Sequence, residues 1–161
     1  MNSLQTLPRR PGRGPFSAFL WGGLIAGTLD ITAALIVYGA FGLRPIPLLQ
    51  GIAAGVLGLS AFNGGLVTAL FGLCCHFFIA FSAAAIYVVA SRGLAFLVRF
   101  PAVAGPLYGI AVYFFMQFAV LPLSGAIKRH FSLEMTLIGV VIHIFCVGLP
   151  IALAARRFAP R

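Results

Sequence analysis

Residues 65–90 read GLVTALFGLCCHFFIAFSAAAIYVVA, and this stretch decides the class of fold. It contains no Asp, Glu, Lys or Arg. A helix of about 20 predominantly apolar residues is long enough to cross a bilayer. The whole chain has the same character, with 61% hydrophobic and 8% charged residues, whereas soluble domains carry about 25% charged residues. A chain of 161 residues cannot bury so much apolar surface in one soluble core. The sequence therefore predicts an integral membrane protein.

Four segments are predicted to span the membrane, and they are Phe16–Ala40, Gly65–Ala90, Pro101–Leu123 and Leu133–Ala155. The predicted fold is an all-α, polytopic membrane four-helix bundle, with residues 15–157 as one transmembrane domain. Residues 1–14 are predicted to be a disordered basic tail. The first apolar run is interrupted by Asp30 and exceeds the 7–15 residues of a signal-peptide core, so it is interpreted as a retained helix.

The stretch Pro45–Phe62 is apolar but short, and it is bounded by prolines and glycines. It fits an interfacial helix, a re-entrant segment or a fifth span. The distribution of basic residues favours four spans, because short cytoplasmic loops collect Lys and Arg. Four spans place eight of the eleven basic residues on the side of both termini. These are Arg9, Arg10, Arg13, Arg92, Arg99, Arg156, Arg157 and Arg161, against Arg44, Lys128 and Arg129 on the other side.

This charge pattern predicts a multi-pass protein of a bacterial inner (plasma) membrane with both termini in the cytoplasm. The net charge of +9 suits anionic lipid headgroups. The sequence shows no interleaving of basic and aromatic residues of the kind that indicates a nucleic-acid-binding surface. The lipid bilayer is thus the expected partner, with a homo-oligomer or a membrane complex as further alternatives. The three cysteines all lie in apolar runs, which argues against a disulfide framework.

Two helices carry the same short pattern. Gly72 precedes His76 by four residues, and Gly139 precedes His143 by four residues. Both helices run in the same direction in the predicted topology, so two parallel-repeat hairpins are an alternative description of the bundle.

Small residues recur at helical spacing on every span, which favours close helix packing in lipid. Polar residues of the predicted spans lie on these stripes at similar depth. The candidate intramembrane site consists of Asp30, His76, His143, Gln117, Tyr113 and Thr32.

Asp30 is the most informative of these residues, because a carboxylate at membrane depth costs about 2.5–3.5 kcal/mol on insertion scales. It is therefore expected to be protonated or paired with His76 or His143. One interpretation is a site that holds a proton or cation. The other is a structural hydrogen-bonded knot that fixes helix register. Pro122 and Pro150 are expected to interrupt the helical hydrogen bonds.

No phosphate-binding loop, zinc motif or nucleophile elbow is present, so no catalytic residue, metal site or cofactor is predicted and an enzyme is the less favoured class. Handling of protons, ions or small solutes is the first functional hypothesis. A non-catalytic membrane subunit or scaffold is the second. A lipid-acting enzyme with a pocket beneath residues 45–62 is the third.

Several stretches resemble the YagU-type inner-membrane proteins. They are Gly23-Leu-Ile-Ala-Gly27, His76 with the apolar run after it, Gly105-Pro-Leu-Tyr-Gly109, Leu121-Pro-Leu-Ser-Gly125, His143 and Arg156-Arg157. The resemblance implies an inner-membrane location and a link to acid tolerance, which has been suggested for that type. Asp30 has no clear counterpart in the YagU pattern, so the resemblance implies no shared site.

Overall fold

The computed structural model describes residues 14–126 and 132–159, and these ranges are helical with no strand. The helices are α1 (Pro15–Ala40), α2 (Pro45–Leu57), α3 (Gly65–Gly93), α4 (Ala95–Arg99), α5 (Pro101–Leu123) and α6 (Leu133–Phe158). A 3₁₀ segment, Gly58–Asn63, joins α2 to α3. The predicted tail and the loop basic residues Lys128 and Arg129 lie outside the described residues, apart from Gly14, which precedes α1.

Prolines mark several helix starts and also shape two helix interiors. Pro15, Pro45 and Pro101 each open a helix, where the missing N–H costs nothing. Inside α5, a π-helical segment covers Met116–Val120, and inside α6 another covers His143–Gly148.

Each π segment ends shortly before an interior proline, Pro122 in α5 and Pro150 in α6. Proline cannot donate to the carbonyl four residues back, and its ring crowds that carbonyl. The wider turns accommodate both effects without ending the helix. The interruptions expected at the two prolines therefore take the form of π turns.

The long helices pack antiparallel to one another. Along α1, Gly22 lies against Ala84 of α3, while Gly27 lies against Phe77. Since the numbers rise in α1 as they fall in α3, these two helices run in opposite directions.

Helix α6 runs antiparallel to both α1 and α5. Gly22 of α1 also meets Ala154 of α6, and farther along α1 Asp30 approaches His143. Gly105 of α5 likewise meets Ala152, and Gly109 meets His143. Helices α1 and α6 thus form the centre, with α3 beside α1 and α5 beside α6.

Helix α2 and the 3₁₀ segment form a hairpin on the outer flank of α3. Ala61 packs with Ala53 and Ala54 in a buried cluster, so the chain folds back after α2. The turn is made at Gly58, whose φ of 62° and ψ of −156° fall in a region that is essentially restricted to glycine.

Gln50 holds this hairpin to α3. It is 4% exposed, and its Nε2 donates to the Gly65 carbonyl at 2.9 Å and to Thr68 Oγ1 at 3.2 Å. The Thr68 hydroxyl in turn donates to the Ala61 carbonyl at 2.6 Å. These bonds bring the start of α3 beside the first half of α2.

Small side chains lie in the interior of this fold and large apolar side chains lie on its surface, the reverse of a soluble protein. The core shared by α1, α3, α5 and α6 consists mostly of alanine, with Tyr87 and Ile151 as its largest fully buried side chains. Large apolar side chains face outward instead, Phe118 for example at 76% exposure. Small interior residues and a bulky apolar exterior are typical of helices packed in lipid, which is consistent with a membrane protein.

Among the described residues, five segments are long and apolar enough to cross a membrane, and they are Pro15–Ala40, Pro45–Asn63, Gly65–Gly93, Pro101–Leu123 and Leu133–Phe158. Four of them match the predicted spans to within a few residues. The remaining segment, Pro45–Asn63, includes the stretch for which the sequence left three alternatives open. Length and composition therefore give one candidate span more than the predicted four.

Candidate functional site

Asp30 and His143 form the centre of the candidate site, where α1 faces α6. Asp30 Oδ1 lies 3.9 Å from His143 Nδ1, and the side chains are 20% and 19% exposed. This distance is an ion-pair distance but too long for a hydrogen bond. Asp30 is ten residues from the end of α1 at Ala40, which at 1.5 Å per residue is about 15 Å. This length is about half the thickness of a hydrocarbon core of about 30 Å.

The His143 ring is oriented by its own helix. Its Nδ1 lies 2.9 Å from the Gly139 carbonyl, and because a carbonyl only accepts, Nδ1 carries the proton. In the neutral ring, Nε2 is then the nitrogen that can take up a second proton.

Tyr113 fixes the other side of this ring. Its ring meets the His143 ring edge to face, with 5.2 Å between centroids, and it is 8% exposed. It also fills the space above Gly139. The structure thus brings together three of the six predicted residues, Asp30, His143 and Tyr113.

His76 lies at the same depth but has a different partner. Its Nε2 lies 2.9 Å from the Gly27 carbonyl, so it donates to the backbone of α1 one turn before Asp30. This bond ties α3 to α1. Among the described residues, no ion pair joins His76 to Asp30.

Thr32 and Gln117 do not join the cluster. The Thr32 hydroxyl donates to the Thr28 carbonyl at 2.7 Å on its own helix, and the residue is exposed. Gln117 is also exposed, although an α-helical register would place it on the same face as Tyr113. It lies within the Met116–Val120 π segment, whose wider turns rotate the following side chains away from that face.

The two Gly-x-x-x-His patterns make different contacts. Gly72 packs against the backbone of Leu49 in α2, whereas Gly139 packs against the Tyr113 ring. His76 bonds a neighbouring helix, whereas His143 bonds its own. The matched spacing therefore does not correspond to matched contacts.

The sequence did not indicate several polar residues that connect helices, among them Tyr108 and Gln50. The Tyr108 hydroxyl donates to the Ala83 carbonyl at 2.7 Å and so links α5 to α3. Gln50 anchors α2, as described above. Gln50 could have been found by the argument applied to Asp30, because it is the one amide in the apolar stretch 45–62. Tyr108 gave no comparable signal, since tyrosine hydroxyls are common at membrane interfaces.

Within residues 14–126 and 132–159, no three His, Cys, Asp or Glu side chains form a group that could hold a metal ion. The cluster offers one carboxylate and one imidazole instead, a pair suited to a proton or a weakly held cation.

Comparisons with protein-family models, curated proteins and solved structures find no match to this chain.

Proposed function

We propose that this chain is a multi-pass protein of a bacterial inner membrane that takes up and releases a proton at the Asp30–His143 pair. The observation that carries the proposal is the separation of 3.9 Å between the two side chains. It is short enough for the two side chains to interact electrostatically. It is too long for the direct hydrogen bond that would lock the pair into one arrangement.

The alternative, a structural hydrogen-bonded knot that fixes helix register, accounts for His76 better than it accounts for Asp30. His76 makes a direct bond to the Gly27 carbonyl, as expected of a residue that fixes helix packing. Within the described residues, Asp30 makes no comparable hydrogen bond to the backbone of another helix, and its ion-pair partner is His143. A carboxylate with a high insertion cost and no bonding role in packing is better accounted for by function.

A scaffold or subunit role has less support from the helix surfaces. The glycine stripes that would serve contacts between chains are occupied within this one, since Gly23 and Gly27 meet α3 while Gly105 and Gly148 meet each other. A homo-oligomer or a membrane complex would therefore use other surfaces.

The proposed topology has four spans, with α2 and the 3₁₀ segment as a re-entrant hairpin. Helix α2 has 13 residues, which is about 20 Å and shorter than the hydrocarbon core. A fifth span would also make α1 and α3 parallel, whereas their contacts are antiparallel. The proposal puts both termini, Arg92 and Arg99 on the cytoplasmic side. The resemblance to the YagU type, with its suggested link to acid tolerance, points in the same direction as a proton site.

The test is proton flux through the full chain reconstituted in liposomes that contain a pH-sensitive dye. A potassium gradient with valinomycin supplies the driving force. We expect the wild type to acidify the lumen faster than empty liposomes do, and Asp30→Asn to reduce the rate to that of empty liposomes, because an amide cannot carry the proton.

Glu134→Gln is the matched control. Glu134 is the other acidic residue of the chain, and it is exposed at the start of α6, so its neutralisation should leave flux unchanged. A well-folded Asp30→Asn variant with the wild-type rate of proton flux would refute the proposal. If Asp30→Asn changed only the flux of sodium or potassium, the site would bind an alkali-metal cation and not a proton.

A further inference from the structure

An open groove lies at the end of the molecule opposite to α2, between α1, α4 and the last turns of α6. Its volume is about 1050 Å³. We call it the arginine-rimmed groove. Its lining includes Trp21, Ile25, Arg99, Leu153, Arg156 and Arg157.

The three arginines of this groove have no acidic partner. The chain has only two acidic residues, Asp30 and Glu134. Asp30 faces His143, and Glu134 starts α6, 22 residues before Arg156, or about 33 Å along the helix. Among the described residues, no ion pair includes an arginine. Three positive charges therefore line the groove without an acidic side chain from residues 14–126 and 132–159 to pair with them.

One of the arginines is held in place by an aromatic ring. The Arg99 guanidinium lies 5.5 Å from the centre of the Phe100 ring, which is within the range of a cation–π interaction. This contact orients the guanidinium without neutralising its charge.

The wall of the groove is apolar. Trp21 and Ile25 come from α1, and Leu149 and Leu153 come from α6. From Arg157 to Leu149 this wall extends about 12 Å along α6, most of the depth of one leaflet of the hydrocarbon core. The exposed Trp21 ring is of the type that lies at headgroup level.

We propose that the arginine-rimmed groove binds an anionic phospholipid, with the phosphate at the arginines and an acyl chain along the apolar wall. Guanidinium groups pair well with phosphate oxygens, and basic pockets between membrane helices bind anionic lipid headgroups. A free anion would leave the apolar wall unused, and a zwitterionic lipid would leave positive charge uncompensated. The site goes beyond the proposed function and needs only that the chain is embedded in a membrane.

The test is lipid retention by the purified full chain in detergent, measured by native mass spectrometry. The probes are phosphatidylglycerol and phosphatidylcholine with the same acyl chains, added after delipidation. We expect one phosphatidylglycerol to be retained in preference to phosphatidylcholine. Arg156→Gln should weaken retention about fivefold, because a basic residue near anionic lipid contributes about 1 kcal/mol. The triple variant R99Q, R156Q and R157Q should weaken it roughly a hundredfold on the same scale.

Arg92→Gln is the matched control, because Arg92 ends α3 near the same end of the molecule but does not line the groove. It should retain phosphatidylglycerol as the wild type does. The proposal is overturned if Arg92→Gln weakens retention as much as Arg156→Gln, if both lipids are retained equally, or if inorganic phosphate displaces the lipid. Asp30→Asn should leave retention unchanged, so the lipid site and the proton site can fail separately.

Discussion

At the scale of single residues, the packing of α5 on α6 requires glycine at positions where a Cβ atom would clash with the facing helix. A Cβ on Gly148 would meet the backbone of Gly105 and Gly109, and a Cβ on Gly109 would meet the backbone of His143. Backbone atoms cannot rotate out of the way as a side chain can. The close approach that positions His143 therefore depends on the absence of a Cβ atom at Gly109 and at Gly148.

Gly148→Ala should destabilise the fold by about 1–3 kcal/mol, the usual cost of inserting a methyl group into a packed interior. Gly51→Ala is its control, because Gly51 is helical and a Cβ there meets nothing within 4 Å. Thermal unfolding in detergent, followed by Trp21 fluorescence, measures both variants. Equal unfolding temperatures for Gly148→Ala and the wild type would contradict the packing seen at this position.

At the scale of elements, apolar length predicted the four long helices, and small-residue spacing predicted most of their inward faces. Gln117 is exposed and not beside Tyr113, because an α-helical register does not continue through residue 117. The proline at 122 could be read from the sequence, but the π segment that accommodates it before Leu121 could not. The partner of His76 was also unpredictable, since a backbone carbonyl carries no sequence signal.

The hairpin formed by α2 and the 3₁₀ segment depends on the backbone conformation of Gly58. Gly58→Ala should cost about 1–3 kcal/mol, because a side chain is strained at this φ and ψ. The loss should appear as faster hydrogen exchange of the amides in residues 45–63. Gly39→Ala serves as the reference, since a Cβ there meets nothing and its φ is ordinary. Identical exchange in the two variants would show that Gly58 does not hold the turn.

At the scale of the whole molecule, the antiparallel order of α1, α3, α5 and α6 brings Arg99, Arg156 and Arg157 to one end. Arg44 precedes α2 at the other end. Among the described arginines, the imbalance that favoured four spans is therefore also an imbalance between the two ends of the fold.

Labelling of single cysteines with a membrane-impermeant maleimide distinguishes four spans from five. Cys74, Cys75 and Cys146 are first replaced by alanine. In intact cells, four spans predict that Phe41→Cys and Asn63→Cys are labelled, whereas Leu94→Cys is labelled only after permeabilisation. Phe41 is the control, because it is external in both topologies. Labelling of Leu94→Cys but not Asn63→Cys in intact cells would establish the five-span arrangement.

The alanine-rich interior also determines which substitutions this fold can absorb as its sequence drifts. Positions such as Ala84 and Ala152, which are fully buried, can neither gain volume without a clash nor lose much of it. Outward positions such as Phe78 and Leu123 need only remain apolar, so leucine, isoleucine, valine and phenylalanine are interchangeable there. Related chains should therefore share a skeleton of their smallest residues and diverge at their largest, the reverse of the pattern familiar from soluble proteins.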